Sequence, residues 1–150
     1  MKIKLDPGAK KPTLAHENDA GFDLYARESK VVPARGSATF DTGVHVELPW
    51  IETQVERNVV RRYFKTAGLL VSKSGLNTKH DITNEGLIDM DYTGAIKVKL
   101  YNNGDTDYTV HEGDKISQMI IVPIITPELE LVDELEETER GDGGFGSTGR

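Results

Sequence analysis

Apolar residues recur at every second position in several short runs of this chain. Val44, Val46 and Leu48 alternate with His45 and Glu47, and Ile96, Val98 and Leu100 alternate with Lys97, Lys99 and Tyr101. A period of two puts each apolar set on one face of an extended segment and predicts half-buried strands. Residues 116–125 are almost continuously apolar, the pattern of a strand covered on both faces. Turn signals separate the runs: Pro7-Gly8, Arg35-Gly36, Asn103-Gly104-Asp105 and Glu112-Gly113-Asp114. Many short strands spaced in this way predict an all-β sandwich or barrel. Strand–helix alternation and a Gly-Lys-Ser/Thr phosphate loop are both missing, which argues against Rossmann and P-loop folds.

Two stretches leave the pattern open. Residues 51–64 place Val55, Val59 and Tyr63 at i, i+4 and i+8, one face of a helix, yet the same residues would extend a hairpin. Residues 127–139 are acidic; Leu131, Val132 and Leu135 have helical spacing, while Leu129, Leu131 and Asp133 fit a strand. A strand leading into a solvated acidic linker is the expectation. No internal repeat is present, and no domain boundary falls before about residue 136.

A chain of 150 residues is the size of one domain with a substantial core. Its 37% hydrophobic and 29% charged residues are ordinary for a soluble globular protein. No apolar run approaches a membrane span, and the N-terminal MKIKLDPGAKK has no apolar signal region, so no membrane partner is expected. The absence of cysteine excludes disulfides and thiol catalysis and fits an intracellular setting. A net charge of −7 argues against a nucleic-acid partner bound through a broad basic surface. Basic residues do cluster locally, as Arg57, Arg61, Arg62 and Lys65, then Lys73, Lys79 and His80. An acidic protein with basic pockets suits a small anion.

Five segments carry candidate chemistry. In DAGFDLYA (19–26), Asp23 is a carboxylate inside a strand-like run; it is either paired or near a metal, or faces solvent, the commoner case. In VSKSGLNTKH (71–80), Ser72, Lys73, Ser74 and Gly75 offer hydroxyl, ammonium and backbone donors that suit phosphate, though a plain polar turn has the same composition. GLIDMDYTG (86–94) reads as a tight hairpin, where a carboxylate can act as general base with Tyr92 shaping the pocket, or as an ordinary polar turn. In GDKISQMI (113–120), Gln118 sits among apolar residues and needs a partner, either a ligand phosphate or, more commonly, backbone. The final RGDGGFGSTGR (140–150) threads Arg140, Phe145, Ser147 and Thr148 through glycines that include Gly144 and Gly146. Arginine forks and glycine-rich backbone nests hold phosphates, and Phe145 offers a flat face for a base. A frayed Gly/Ser terminus is the plainer alternative. His16, His45, His80 and His111 show no metal-ligand spacing, and no nucleophile elbow is present.

Taken together and in this order, the five segments resemble the five motifs of the trimeric dUTP diphosphatases (dUTPases), over nearly the whole chain from about Asp19 to Arg150. Lys73 and the NTKH sequence are similar to phage or bacterial members. The resemblance implies an all-β, jelly-roll-like (β-clip) fold, assembled as a homotrimer. A β-domain over 1–136 and a flexible C-terminal arm over 137–150 are expected. It implies hydrolysis of dUTP to dUMP and pyrophosphate, with Mg²⁺ as cofactor, in the cytoplasm, or in the host cytoplasm if the chain is phage-encoded. It also implies active sites shared between subunits: the first, second and fourth motifs from one chain, the hairpin from a neighbour, the arm from the third.

The same resemblance implies the roles. Asp89 would orient and deprotonate the attacking water. Tyr92 would pack on the deoxyribose and exclude a 2′-hydroxyl, and backbone before Asp89, Ile88 included, would read uracil. Lys73, Ser74, Gly75 and Gln118 would hold the phosphate chain. Asp23 would support the metal's water shell indirectly, with Mg²⁺ held mainly by triphosphate and water. Phe145 would lie over uracil, while Arg140, Ser147 and Thr148, with Gly144 and Gly146, would grip the terminal phosphates.

Three departures stand out. Lysine occupies position 73 where arginine is usual, which keeps the charge but loses the bidentate fork; phosphate grip would weaken unless Lys79 or Arg140 compensates. Thr93 replaces a common arginine or glutamine, with little expected effect. The 50–66 segment is longer than the usual link and reads as surface decoration or, less favoured, as a partner-binding insert. Two alternatives to the enzyme follow: a nucleotide-sensing regulator that binds a protein partner through 50–66, and a dCTP deaminase-like relative. The GGFGSTG arm argues against the latter.

Overall fold

The structure, a computed structural model, describes residues 1–55 and 60–143. Among the described residues, twelve strands and one short helix follow in order: β1 (Lys2–Leu5), β2 (Phe22–Tyr25), β3 (Lys30–Val32), β4 (Ser37–Asp41), β5 (Val44–Glu47), β6 (Ile51–Val55), β7 (Val60–Val71), α1 (Ser74–His80), β8 (Ile82–Thr83), β9 (Glu85–Ile88), β10 (Lys97–Asn102), β11 (Tyr108–Val110) and β12 (Lys115–Ile124). The paired strands run antiparallel. β1 pairs with β5, β11 with β3, and β10 lies between β4 and β8. The largest sheet runs β2–β12–β7, with β6 and β9 both against β7.

The period-two runs are strands. β10 buries Val98 and Leu100 and exposes Lys97, Lys99 and Tyr101, and β5 buries Val44 and Val46. Those buried faces meet Phe40, Leu24, Ile116 and Met119 in one core. Each such side chain contributes about 1.5–3 kcal/mol on leaving water. β12 is the expected long apolar strand, but it is covered only in its first half. Ile116, Ser117 and Met119 are buried, whereas the stretch from Ile120 to Ile124 is half-buried with Pro123 exposed. A β-bulge between Lys115 and Ser117 shifts its register against β2. The extra residue brings Gln118, rather than Ser117, opposite Asp23.

Three local expectations change, and one open reading is decided. Among the described residues of 51–64, β6 and β7 pair antiparallel, Ile51 opposite Phe64 and Val55 opposite Val60, which is the hairpin of the two readings and not the helix. The β-branched and aromatic residues there favour strands; Val59 lies outside the described residues. The polar 74–80 stretch is not a plain turn but α1. Lys73 is extended at its N-cap, and Asp81, at φ 54°, closes its C-cap by donating its N–H to Asn77. The strand expected over 127–133 is not formed. Leu129 and Leu131 are 96% and 100% exposed, and a strand without a partner edge has no ladder to stabilise it. The 86–94 segment is not a tight hairpin: β9 pairs with β7 and β10 with β4 and β8, so the link crosses between sheets.

Candidate active site

The register of the largest sheet gathers three of the candidate segments. Asp23 of β2 lies opposite Gln118 of β12, and Gln118 lies opposite Val71 of β7, two residues before Lys73. Asp23 is 2% exposed and is therefore not the solvent-facing residue that its strand position alone favoured. Its carboxylate accepts hydrogen bonds from Lys73 Nζ at 2.5 Å and from Lys115 Nζ at 2.7 Å. Burial alone would push the carboxyl's pKa up. The hydrogen bonds and charges of Lys115 and Lys73 outweigh that, and the net direction is downward. The same pair raises the Lys115 ammonium above its ordinary value.

Lys115 was not singled out by its sequence context, although the Gly113-Asp114 turn just before it marks the entry to β12. It supplies the second cation beside Asp23, while Lys79 sits in the last turn of α1 and Arg140 is exposed beyond β12. A second group missed by sequence is Asn84. Its Nδ2 donates to Ser117 Oγ (2.9 Å), which donates to the Val71 carbonyl (3.2 Å). Ser72 Oγ donates to the Asn84 carbonyl (2.9 Å) and accepts from the Asn84 N–H (2.8 Å). This buried clasp fixes the end of β7 from which Lys73 and Ser74 project. Ser74 and Gly75 are exposed, and a Cβ at Gly75 would meet nothing within 4 Å, so the space beside the helix start is open.

Asp89 is elsewhere. β9 enters beside Val71 and leaves beside Gly68, where Ile88 is buried. Three residues of β7 separate those levels, roughly 10 Å at the usual strand rise. Asp89 is thus displaced from the Asp23–Lys73–Gln118 cluster of its own chain. It opens a turn in which the Tyr92 N–H donates to the Asp89 carbonyl (3.1 Å) and Tyr92 Oη donates to the Ala95 carbonyl (3.0 Å). The Tyr92 ring lies against Gly94, where a Cβ would sit 2.6 Å from its Cζ. Only glycine leaves room for that ring. Arg140 is exposed, and its Nε donates to the Gly143 carbonyl at 2.8 Å. Gly144, Phe145, Gly146, Ser147 and Thr148 lie outside the described residues.

One chain therefore holds two separate groups of candidate residues. The first is a cationic cluster with open donors, which can bind an anion; the second is an exposed carboxylate in a turn with an aromatic ring, which can accept a proton. Among the described residues no group of three or more His, Asp or Glu side chains converges to hold a metal, and no helix is long and apolar enough to cross a membrane.

A dUTPase family model matches residues 8–149. The deoxyuridine 5'-triphosphate nucleotidohydrolase of Clostridium acetobutylicum is 43% identical over 153 aligned positions, which cover 99% of this chain and 96% of that protein. The solved dUTPase of Staphylococcus bacteriophage 80alpha with dUpNHpp superposes with a TM-score of 0.83 at 30% identity, covering 99% of this chain and 98% of that one. A dUTPase mutant from phage phi11 of S. aureus, with a coordinated structural Mg(II) ion, superposes at a TM-score of 0.74 and 29% identity, covering 91% and 98%.

Proposed function

The chain belongs to the dUTPase family, with that family's β-clip, jelly-roll-like fold, and from this premise we propose how its residues divide the hydrolysis of dUTP. The observation that carries the proposal is the separation of Asp89 from the Asp23–Lys73–Gln118 cluster along β7. A pocket that needs both must take them from different copies of the chain, so the active unit is an oligomer, which we take to be the homotrimer expected for the family. The β-domain of residues 1–136 supplies the half-sites, and the arm of residues 137–150 closes over a neighbour.

In this reading the triphosphate lies at the start of α1. Lys73, Ser74, the Gly75 backbone and Gln118 donate to its oxygens. Asp89 of an adjacent subunit accepts a proton from water as the water oxygen bonds to the α-phosphorus. The bond from that phosphorus to the α,β-bridging oxygen breaks, and dUMP and pyrophosphate leave. Positioning and charge stabilisation carry the catalysis, with no covalent enzyme intermediate. Tyr92 packs on the deoxyribose, while Ile88 and the backbone around it read uracil. Phe145 covers the base, and Arg140, Ser147 and Thr148, with the Gly144 and Gly146 backbone, hold the outer phosphates when the arm closes.

The donor set fits Mg²⁺ only indirectly. Each Asp23 oxygen already takes an ammonium, so Asp23 would meet the ion through water, and the triphosphate would hold it. When bound, Mg²⁺ neutralises charge developing on the phosphates. The cytoplasm, or the host cytoplasm for a phage-encoded chain, is the compartment proposed. A second, coexisting role rests on the β6–β7 hairpin, where Trp50 and Tyr63 are 56% and 59% exposed. That surface would suit a protein partner, tested by a hairpin truncation that keeps hydrolysis.

The deciding experiment is a panel of dUTP, dTTP, dCTP and UTP with Mg²⁺, following pyrophosphate. Turnover confined to dUTP and abolished by Asp89→Asn supports the reading. Equal turnover of UTP overturns the role of Tyr92.

A further inference from the structure

The turn that carries Asp89 and Tyr92 is tethered at both ends by backbone. Ile88 enters it from the β7–β9 ladder, opposite Gly68. Ile96 leaves it with its N–H donating to Val44 (2.8 Å) and its carbonyl accepting from Thr42 Oγ1 (2.7 Å). The middle of the turn has a different tether. His45, on β5, places Nδ1 2.8 Å from the carbonyl of Thr93, the residue after Tyr92. That carbonyl can only accept, so Nδ1 carries the hydrogen of the contact.

The other ring nitrogen is held as well. His45 Nε2 lies 3.1 Å from Asp6 Oδ1, a hydrogen bond that it donates when both ring nitrogens carry hydrogen, since the carboxylate too can only accept. Asp6 is braced in turn: its other oxygen lies 3.5 Å from Arg27 Nη1, and Arg27 Nη2 lies 3.6 Å from Asp41. The Asp6 N–H donates to the Gly43 carbonyl (2.9 Å), and the Gly43 N–H donates to Asp41 Oδ1 (2.8 Å). Gly43, at φ +65°, leaves the room Arg27 needs, since a Cβ there would sit 2.8 Å from its Nη1. A polar chain thus runs Asp41–Arg27–Asp6–His45 and ends on the backbone beside Tyr92. A histidine held between a carboxylate and a carbonyl has its ring orientation fixed.

We propose that His45 is a positioning residue for the catalytic turn. Braced by Asp6, it holds the Thr93 carbonyl, and so the Tyr92 ring, at the height that rejects a ribose 2′-hydroxyl. The proposal rests on the reading of Tyr92 given above. Small displacements of a positioned group cost large factors in rate, and here the loss falls on discrimination, because the tether ends beside the sugar-facing ring and not on Asp89.

The test is the ratio of kcat/KM for dUTP to that for UTP, with the thermal midpoint of each variant measured alongside. His45→Phe keeps the ring volume and loses both nitrogens; the ratio is expected to fall about tenfold, the worth of one hydrogen bond. His45→Gln keeps a donor within reach of Thr93 and is expected to restore most of it. Asp6→Ala, which removes the brace, is expected to fall between. Tyr92→Ala serves as reference and is expected to collapse the ratio. A collapse in Tyr92→Ala with an unchanged ratio in His45→Phe overturns this inference alone. An unchanged ratio in Tyr92→Ala overturns the sugar-facing reading beneath it and the inference with it. Equal losses in His45→Phe and His45→Gln that track their thermal midpoints reduce His45 to a stabilising contact and overturn the proposal.

Discussion

Lys115 Nζ lies 2.7 Å from Asp23 Oδ2, on the carboxylate oxygen that Lys73 leaves free. One buried acid therefore holds cations from two strand ends, each adjoining a segment proposed to hold phosphate. Lysine at position 73 lacks the arginine fork, and a second lysine shares the same anion. Asp23→Asn removes the charge and keeps the shape. It is expected to destabilise the protein by about 1.5–3 kcal/mol, the range for losing hydrogen bonds to a charged group, read by urea unfolding. Lys73→Met and Lys115→Met are expected to cost less singly than together in excess of their sum, because either lysine alone still partners the acid.

The same pair sets a pH window. The folded Asp23 carboxyl titrates below its ordinary value of 3.8, so its contribution is present above that value and is lost as pH falls through the lowered one. The folded Lys115 ammonium titrates above its ordinary 10.5, so its contribution is present below that value and is lost as pH rises through the raised one. The stability difference between the native chain and Asp23→Asn should be largest on the plateau between these limits and shrink toward either extreme. Urea midpoints measured across pH for both proteins check this; a difference that grows toward strong acid contradicts it.

These relationships were unevenly legible beforehand. β10 could be read because Val98 and Leu100 alternate with lysines in a half-buried strand. α1 could not, because a short polar helix with no buried residue has no apolar period to detect. Asp23 was visible as a carboxylate among apolar neighbours, but its burial depends on a bulge in β12 and on lysines distant in the chain. The same holds for Asn84, whose partners Ser72 and Ser117 lie on separate strands. The His45 tether was invisible, since nothing in the alternation of β5 says that its polar face meets Thr93.

A shared site makes a prediction about mixtures. Asp89→Asn retains an intact cationic cluster, and a Lys73→Ala/Gln118→Ala chain retains an intact Asp89. Each alone is expected to lose roughly 10²–10⁴ in kcat, as for loss of a general base or of oriented binding. Co-refolded together they should recover activity at least about tenfold above either one, because some pockets join the two undamaged halves. Pyrophosphate release from the mixture, against the separate proteins, measures it. No recovery from demonstrably mixed trimers would contradict the sharing.

Gly94 and Gly75 should respond in opposite ways. A methyl at Gly94 would sit 2.6 Å from the Tyr92 ring, which is 42% exposed and can swing away. Gly94→Ala is therefore expected to cost less than about 1 kcal/mol of stability while breaking the Tyr92–Ala95 hydrogen bond and relaxing discrimination against UTP. Gly75→Ala meets open space, so its fold should be unchanged. Any loss there must come from a ligand that approaches the backbone closely, and it should show in KM for dUTP.

Beyond β12 the chain carries Ile125, Leu129, Leu131 and Leu135, exposed at 79%, 96%, 100% and 87%. Acidic residues intervene: Glu128, Glu130, Asp133 and Glu134. Leucines this exposed in a single chain are costly to leave in water, each about 1.5–3 kcal/mol short of full burial. In the proposed trimer a neighbouring subunit is expected to cover part of this segment. Leu129→Asp/Leu131→Asp should then shift the sedimentation equilibrium from trimer toward monomer and lower dUTP turnover in a concentration-dependent way. The secondary structure seen by circular dichroism should stay unchanged, because neither leucine touches the core of its own chain. A double variant that remains fully trimeric at low concentration would show that the segment serves only as a tether for the arm.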